Sequence, residues 1–170
     1  MNYKLIGSIC VIAACGGAGV MMAVQYISQI RLLADLIIIL NFMESEIQYR
    51  CTPLPLLCRQ AAEQVTGKMR IVFDNLANEL EAQIAPNAEL CMISVLDRLS
   101  INEDTIRTTL MALGSNLGKF DMDGQVRALE STRNICSENL KLLQMSRDQR
   151  IRSYQTLGLC TGAAIAILFV

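Results

Sequence analysis

Apolar residues dominate both ends of the chain and recur at helical spacing between them. Leu5 to Val24 is a run of twenty residues without a charge, LIGSICVIAACGGAGVMMAV. As a helix it extends about 30 Å and matches the hydrocarbon core of a bilayer. A second apolar run, Tyr154 to Val170, reads YQTLGLCTGAAIAILFV and reaches about 25 Å as a helix. Between them Leu33, Leu36, Ile37, Leu40, Met43 and Ile47 keep helical spacing with no Gly or Pro before Pro53, so the first span is expected to continue as one long helix.

Thr52-Pro53-Leu54-Pro55 ends that helix and starts the next, with Thr52 as N-cap and Pro53 at the first helical position. The second helix is expected to run to about Thr66 and stop at Gly67. A third carries Met69, Val72, Leu76, Leu80 and Ile84 on one face and ends before Pro86. A fourth, from about Ala88 to Leu99, turns Leu90, Ile93 and Leu96 inward. Ser100 and Glu103 have capping-box spacing for a fifth, whose stripe is Ile106, Leu110, Leu113, Leu117 and Phe120. Asp121 or Asp123 can cap a sixth, bearing Val126, Leu129, Cys136, Leu140 and Leu143, and no breaker separates it from the final apolar run. No stretch alternates with period two. The expected fold is all-α: a bundle of about six helices whose first and last continue into membrane spans. Residues 1–30 are expected to form the N-terminal span and flank, 31–153 the bundle and 154–170 the C-terminal span.

Composition locates the excess of apolar residues at the ends. The chain is 52% hydrophobic with mean hydropathy +0.36, yet all sixteen acidic residues and all but one of the fifteen Lys and Arg lie between Arg31 and Arg152. A mildly acidic, unclustered middle argues against nucleic-acid binding, which needs a basic patch. Arg31 after the first span, and Arg147, Arg150 and Arg152 before the second, outweigh Lys4. By the positive-inside rule the bundle is expected in the cytoplasm with both termini across the membrane. A cleaved signal peptide fits poorly, because apolar residues run on past Gly19. Ile12-Ala13-Ala14-Cys15 resembles a lipoprotein processing box, and acylation at Cys15 would place the bundle outside the cytoplasm. The GGAGVMMAV that follows would stay embedded, however, which favours an uncleaved anchor. Gly158 and Gly162 form a GxxxG pair, a smooth face for close helix packing in lipid.

Candidate chemistry is sparse. The chain has no His, and its seven Cys show no CxxC spacing, so the usual general-base and zinc-site arrangements are missing and no metal or cofactor is expected. Gly114-Ser115-Asn116-Leu117-Gly118-Lys119 glances at a phosphate loop, but its glycines are one residue too close and Phe120 follows where Ser or Thr is needed. Helix packing at Gly114 and Gly118 is the better account. Glu44 and Glu46 lie two apart and so point to different faces of a helix, with Tyr49 nearby. They are either solvated or capping groups or a polar patch read by a partner protein. Asp121 and Gln125 face the same choice.

Glu44-Ser45-Glu46-Ile47-Gln48-Tyr49 followed by Thr52-Pro53-Leu54-Pro55, then Leu113-Gly114, Leu117-Gly118, Asp121 and Gln125, then Tyr154, Leu157-Gly158 and Gly162, resemble in order the blocks of the stage III sporulation protein AB family. Leu56 stands where that family commonly has Glu, and Met43 where Leu is usual. The family is similar to inner-membrane platform proteins of type II secretion and type IV pilus systems. The resemblance implies a non-enzymatic scaffold in the mother-cell membrane facing the forespore, part of a channel-like secretion complex. Its implied partners are a cytosolic secretion-type ATPase and other membrane subunits, with no small-molecule substrate. It offers Glu44, Glu46, Tyr49, Thr52, Pro53, Leu54, Pro55, Asp121 and Gln125 as partner-binding candidates. Two other readings remain open on the residues alone: a two-span adaptor or receptor for an unrelated soluble partner, and the exported lipoprotein.

Overall fold

The computed structural model describes residues 2–50, 52–83, 85–101, 103–118 and 122–147, together with 152, 153, 156, 157 and 160. On the first helix it describes the side chains of residues 17 and 20–50. All regular structure among the described residues is helical: α1 Asn2–Arg50, α2 Leu54–Glu63, α3 Lys68–Glu81, α4 Ala88–Arg98, α5 Asp104–Asn116 and α6 Met122–Met145. The chain divides into two compact units, one of Met1–Ile30 with Lys141–Val170 and one of Arg31–Leu140. Among the described residues α1 is the one helix long and apolar enough to cross a membrane. The C-terminal apolar run, Gly158 and Gly162 included, lies almost wholly outside the described residues, where 156, 157 and 160 are helical.

In the Arg31–Leu140 unit the core is aliphatic. Leu36, Ile39, Leu40 and Met43 of α1 are fully buried, as are Leu57, Cys58 and Ala61 of α2, Phe73 and Leu76 of α3, and Leu110 of α5. Helix α2 packs on α3, α3 on α4 and α4 on α5. Each fully buried Leu, Ile or Phe contributes roughly 1.5–3 kcal/mol over its exposed state. Helix α1 is tied to α6 by Arg133, whose Nη1 donates to Asn41 Oδ1 over 3.0 Å and pairs with Glu44 Oε2 at 3.1 Å.

The structure corrects several expectations. Helix α2 starts at Leu54, with Pro53 (φ −56, ψ 141) at the N-cap position and no side-chain cap. Thr52 is not the cap, because its hydroxyl donates to Glu46 Oε2 over 3.0 Å instead. The helix ends at Glu63 rather than Thr66, and Gly67, in the left-handed region at φ +73, opens α3. On α4 the inward face is Ala88, Cys91, Met92, Val95 and Leu96, and Leu90 is exposed. Cys91 and Met92 provide compact apolar volume that a Leu-and-Ile reading passes over.

The Ser100–Glu103 capping box does not form. Ser100 takes φ +49, and Glu103 sits at the N-cap of α5 without a side-chain bond to the helix it caps. Its carboxylate is held instead by Lys68 Nζ at 3.4 Å. Gly118, at φ +78, lies beyond the end of α5 rather than inside its helical stripe. Asn87 does cap α4, its Oδ1 accepting from the Leu90 amide at 2.9 Å.

Candidate functional site

The two acidic residues near the end of α1 have separate tasks. Glu46 is buried, receives the Thr52 hydroxyl, and pairs with Arg50 one turn later at 3.3 Å. It therefore braces the corner between α1 and α2. Glu44 turns to α6 and Arg133. Both carboxylates are committed within the bundle, and residues two apart on a helix cannot share a face. Tyr49, by contrast, stands 78% exposed, with Pro53 and Leu56 also exposed and Leu54 and Pro55 half-buried. A small pocket of about 170 Å³ lies between Gln48 near the end of α1 and Asp123, Val126 and Arg127 at the head of α6. Gln125 is half-buried beside it in sequence, and Asp121 lies outside the described residues.

A larger open cleft, of about 510 Å³, is assembled by three separate stretches of chain. Leu54 comes from the start of α2. Leu80, Gln83, Ala85, Pro86, Asn87 and Ala88 come from the α3–α4 connection, and Leu117 with Gly118 from the end of α5. Its volume is in the range of ligand pockets, and its lining among the described residues is Leu, Ala, Pro and Gly with the two amides of Gln83 and Asn87. Gln83 holds a left-handed backbone at φ +49, uncommon for a residue with a side chain, and so folds the connection around the cleft.

Gly118 owes its place to its φ of +78; a Cβ there would reach only Leu54 Cδ2, at 4.0 Å. Gly114 answers a different need. A Cβ on it would stand 2.8 Å from Met92 Cβ and 3.4 Å from the Ala88 carbonyl. Its bare backbone is what lets α5 lie close on α4.

The cleft thus unites Leu54 of the TPLP turn with Leu117 and Gly118, which the sequence singles out separately. It adds Leu80, Gln83 and Ala88, which carry no sequence signal for it because their role depends on a turn geometry set by Gln83.

Burial pushes the Cys58 thiol up to about 12 and that of Cys136 up to about 11, so neither is a thiolate at neutral pH. Among the described residues no group of three or more His, Cys, Asp or Glu could hold a metal ion. Arg98 pairs with the buried Glu79, which also accepts from Ser94 Oγ at 3.1 Å, so this charge is used to join α3 to α4.

Comparison with known proteins gives this architecture a context. The family model of stage III sporulation protein AB matches residues 4–170. Stage III sporulation protein AB of Bacillus subtilis (strain 168) is 24% identical over 170 residues, covering 98% of this chain and 99% of that protein. A solved structure of stage III sporulation protein AB (SpoIIIAB) superposes with a TM-score of 0.64 at 18% identity, covering 72% of this chain and 98% of that one. At that identity the likeness is one of fold, and it agrees with the all-helical architecture. Since the family match runs from Lys4 to the last residue, the chain belongs to the stage III sporulation protein AB family.

Proposed function

We propose that this sporulation protein is a non-enzymatic platform subunit of a transport complex between mother cell and forespore. It is anchored in the mother-cell membrane through α1 and the C-terminal apolar run, with residues 31–153 in the cytoplasm. There the bundle docks a cytosolic secretion-type ATPase and passes its motion to other membrane subunits. The observation that carries this reading is the open cleft where Leu54 meets Leu117 and Gly118. Its mixed lining, with Leu54, Leu80 and Leu117 beside the amides of Gln83 and Asn87, suits an inserted side chain of a protein partner.

Tyr49, Pro53, Leu54 and Pro55 present the contact surface. Glu44, Glu46 and Thr52 shape it through Arg133 and the corner bond. Gln125, at the head of α6, is a candidate for a second contact, as is Asp121 by its place in the sequence. Helix α1, unbroken for 49 residues, is about 74 Å long at the helical rise, a stiff element suited to transmitting displacement.

Co-purification of the full chain with the secretion-type ATPase from sporulating cells tests the docking. Tyr49→Ala combined with Leu54→Ala is expected to reduce recovery of the ATPase at least about tenfold, as expected of a hot spot, without lowering the melting temperature by more than a few degrees. Failure of the unaltered chain to retain the ATPase overturns it. A protease site inserted between Ala85 and Pro86, ahead of the Asn87 cap, tests the side of the membrane. Cleavage in intact cells rather than only after permeabilisation would place the bundle outside.

A further inference from the structure

From Arg31 onward α1 carries two seams. Leu33, Leu36, Leu40, Met43 and Ile47, spaced three and four apart, are buried within the Arg31–Leu140 unit. On the other side of the helix Arg31, Asp35, Ile38, Phe42 and Ser45 keep the same alternation, and none of them is buried. The flanks of this second series are occupied. Asn41 and Glu44 turn to Arg133 of α6, and Glu46 turns to Thr52 at the corner. The arc between the flanks is open.

A helix back that meets only water is ordinarily polar. This one presents Ile38, 46% exposed, one turn from the half-buried Phe42, a spacing at which side chains meet along a helix. Alternation of four and three is also how one helix packs along another, each side chain entering a hole in the facing helix. The two charges decide what that facing helix must carry. Arg31 is near enough for its charge to act on Asp35, yet neither side chain is held in a hydrogen bond or ion pair with a described residue.

We infer that this face of α1 packs on the same face of a second copy of the chain, parallel and in register. Each Arg31 then lies beside Asp35 of the other copy, one turn along, while Ile38 meets Ile38 and Phe42 meets Phe42 across the two-fold axis. A reversed pairing that keeps Ile38 and Phe42 in the contact sets Arg31 and Asp35 against neutral positions, so charge selects the parallel arrangement. The seam ends at Ser45 and leaves Tyr49 and the TPLP corner open, so it is compatible with the docking proposed for them.

The test co-expresses two full-length copies with different tags in a host that does not sporulate, and so supplies no other sporulation protein to bridge them. The copies are extracted in mild detergent, and recovery of one through the tag of the other is measured. The unaltered pair is expected to co-purify. Arg31→Asp in both copies, or Asp35→Arg in both, opposes like charges and should cut recovery at least about tenfold. Arg31→Asp in one copy with Asp35→Arg in the other places opposite charges at both contacts and should restore it, which also shows that both altered chains fold. Absence of recovery for the unaltered pair overturns the proposal, as does equal recovery in every pairing. A loss that the mixed pair does not repair overturns the parallel register.

Discussion

Thr52 Oγ1 donates to Glu46 Oε2 over 3.0 Å, joining the last turn of α1 to the residue that precedes the α2 corner. The acceptor is a nearly buried carboxylate, so the bond is stronger than one between neutral groups at the surface. Thr52→Val keeps the shape and removes the donor, and is expected to destabilise the chain by about 1–2 kcal/mol. Thr52→Ser should recover most of that loss. Thermal unfolding of the full chain in detergent reads both, and equal melting temperatures for the unaltered and Thr52→Val chains would show that the bond holds nothing.

Gly114 is expected to tolerate no larger residue. Its would-be Cβ lies 2.8 Å from Met92 Cβ, an atom fixed to the backbone of α4 rather than the free end of a side chain. Gly114→Ala should therefore push the helices apart and cost about 1–3 kcal/mol, despite the better helix propensity of Ala. Shortening the neighbour does not help, because Met92→Ala retains the offending Cβ. A double variant as stable as the Met92→Ala chain would refute this account.

Two ion pairs of α3 should differ in worth. Arg98 pairs with Glu79, whose side chain is 4% exposed, whereas Arg59 meets Glu81 at 2.5 Å with both partners well exposed. Arg98→Ala leaves a buried carboxylate short of a partner and should cost about 1–3 kcal/mol. Arg59→Ala should cost at most about 1 kcal/mol, a loss that added salt mimics in the unaltered chain. Chemical denaturation at two ionic strengths separates them.

Cys58 gives a dependence on alkaline pH. Its thiol is raised from an ordinary 9.0 to about 12 by burial. The unfolded chain therefore loses this proton first. Stability is present in full below pH 9 and is lost as pH climbs toward 12, by roughly 1 kcal/mol at pH 10. Cys58→Ala removes this contribution, so its melting temperature should fall less between pH 8 and pH 10 than that of the unaltered chain. Equal falls would contradict the burial argument.

The helices are legible in the sequence wherever a breaker and a stripe agree. Along α5 and its C-cap, for instance, Ile106, Leu110, Leu113 and Leu117 are all buried as spaced. Side-chain commitments are less legible. Thr52 and Glu103 both look like helix caps, yet each finds a partner across a corner: Glu46 for Thr52, Lys68 for Glu103. A local motif competes with any group that tertiary structure brings near, and spacing alone cannot say which wins. The cleft is the least legible feature, because Leu54, Leu80 and Leu117 are brought together only by the folded bundle.

The corner between α1 and α2 has one more implication. Pro53 stands at the N-cap of α2 and Pro55 within its first turn, so two backbone donors that would need partners do not exist there. The bend is set by pyrrolidine rings instead of by a capping side chain. Rings neither titrate nor respond to counterions, so of the two restraints on this corner only the Glu46 brace is open to acid or salt, and the restraint from the rings remains when that brace is lost.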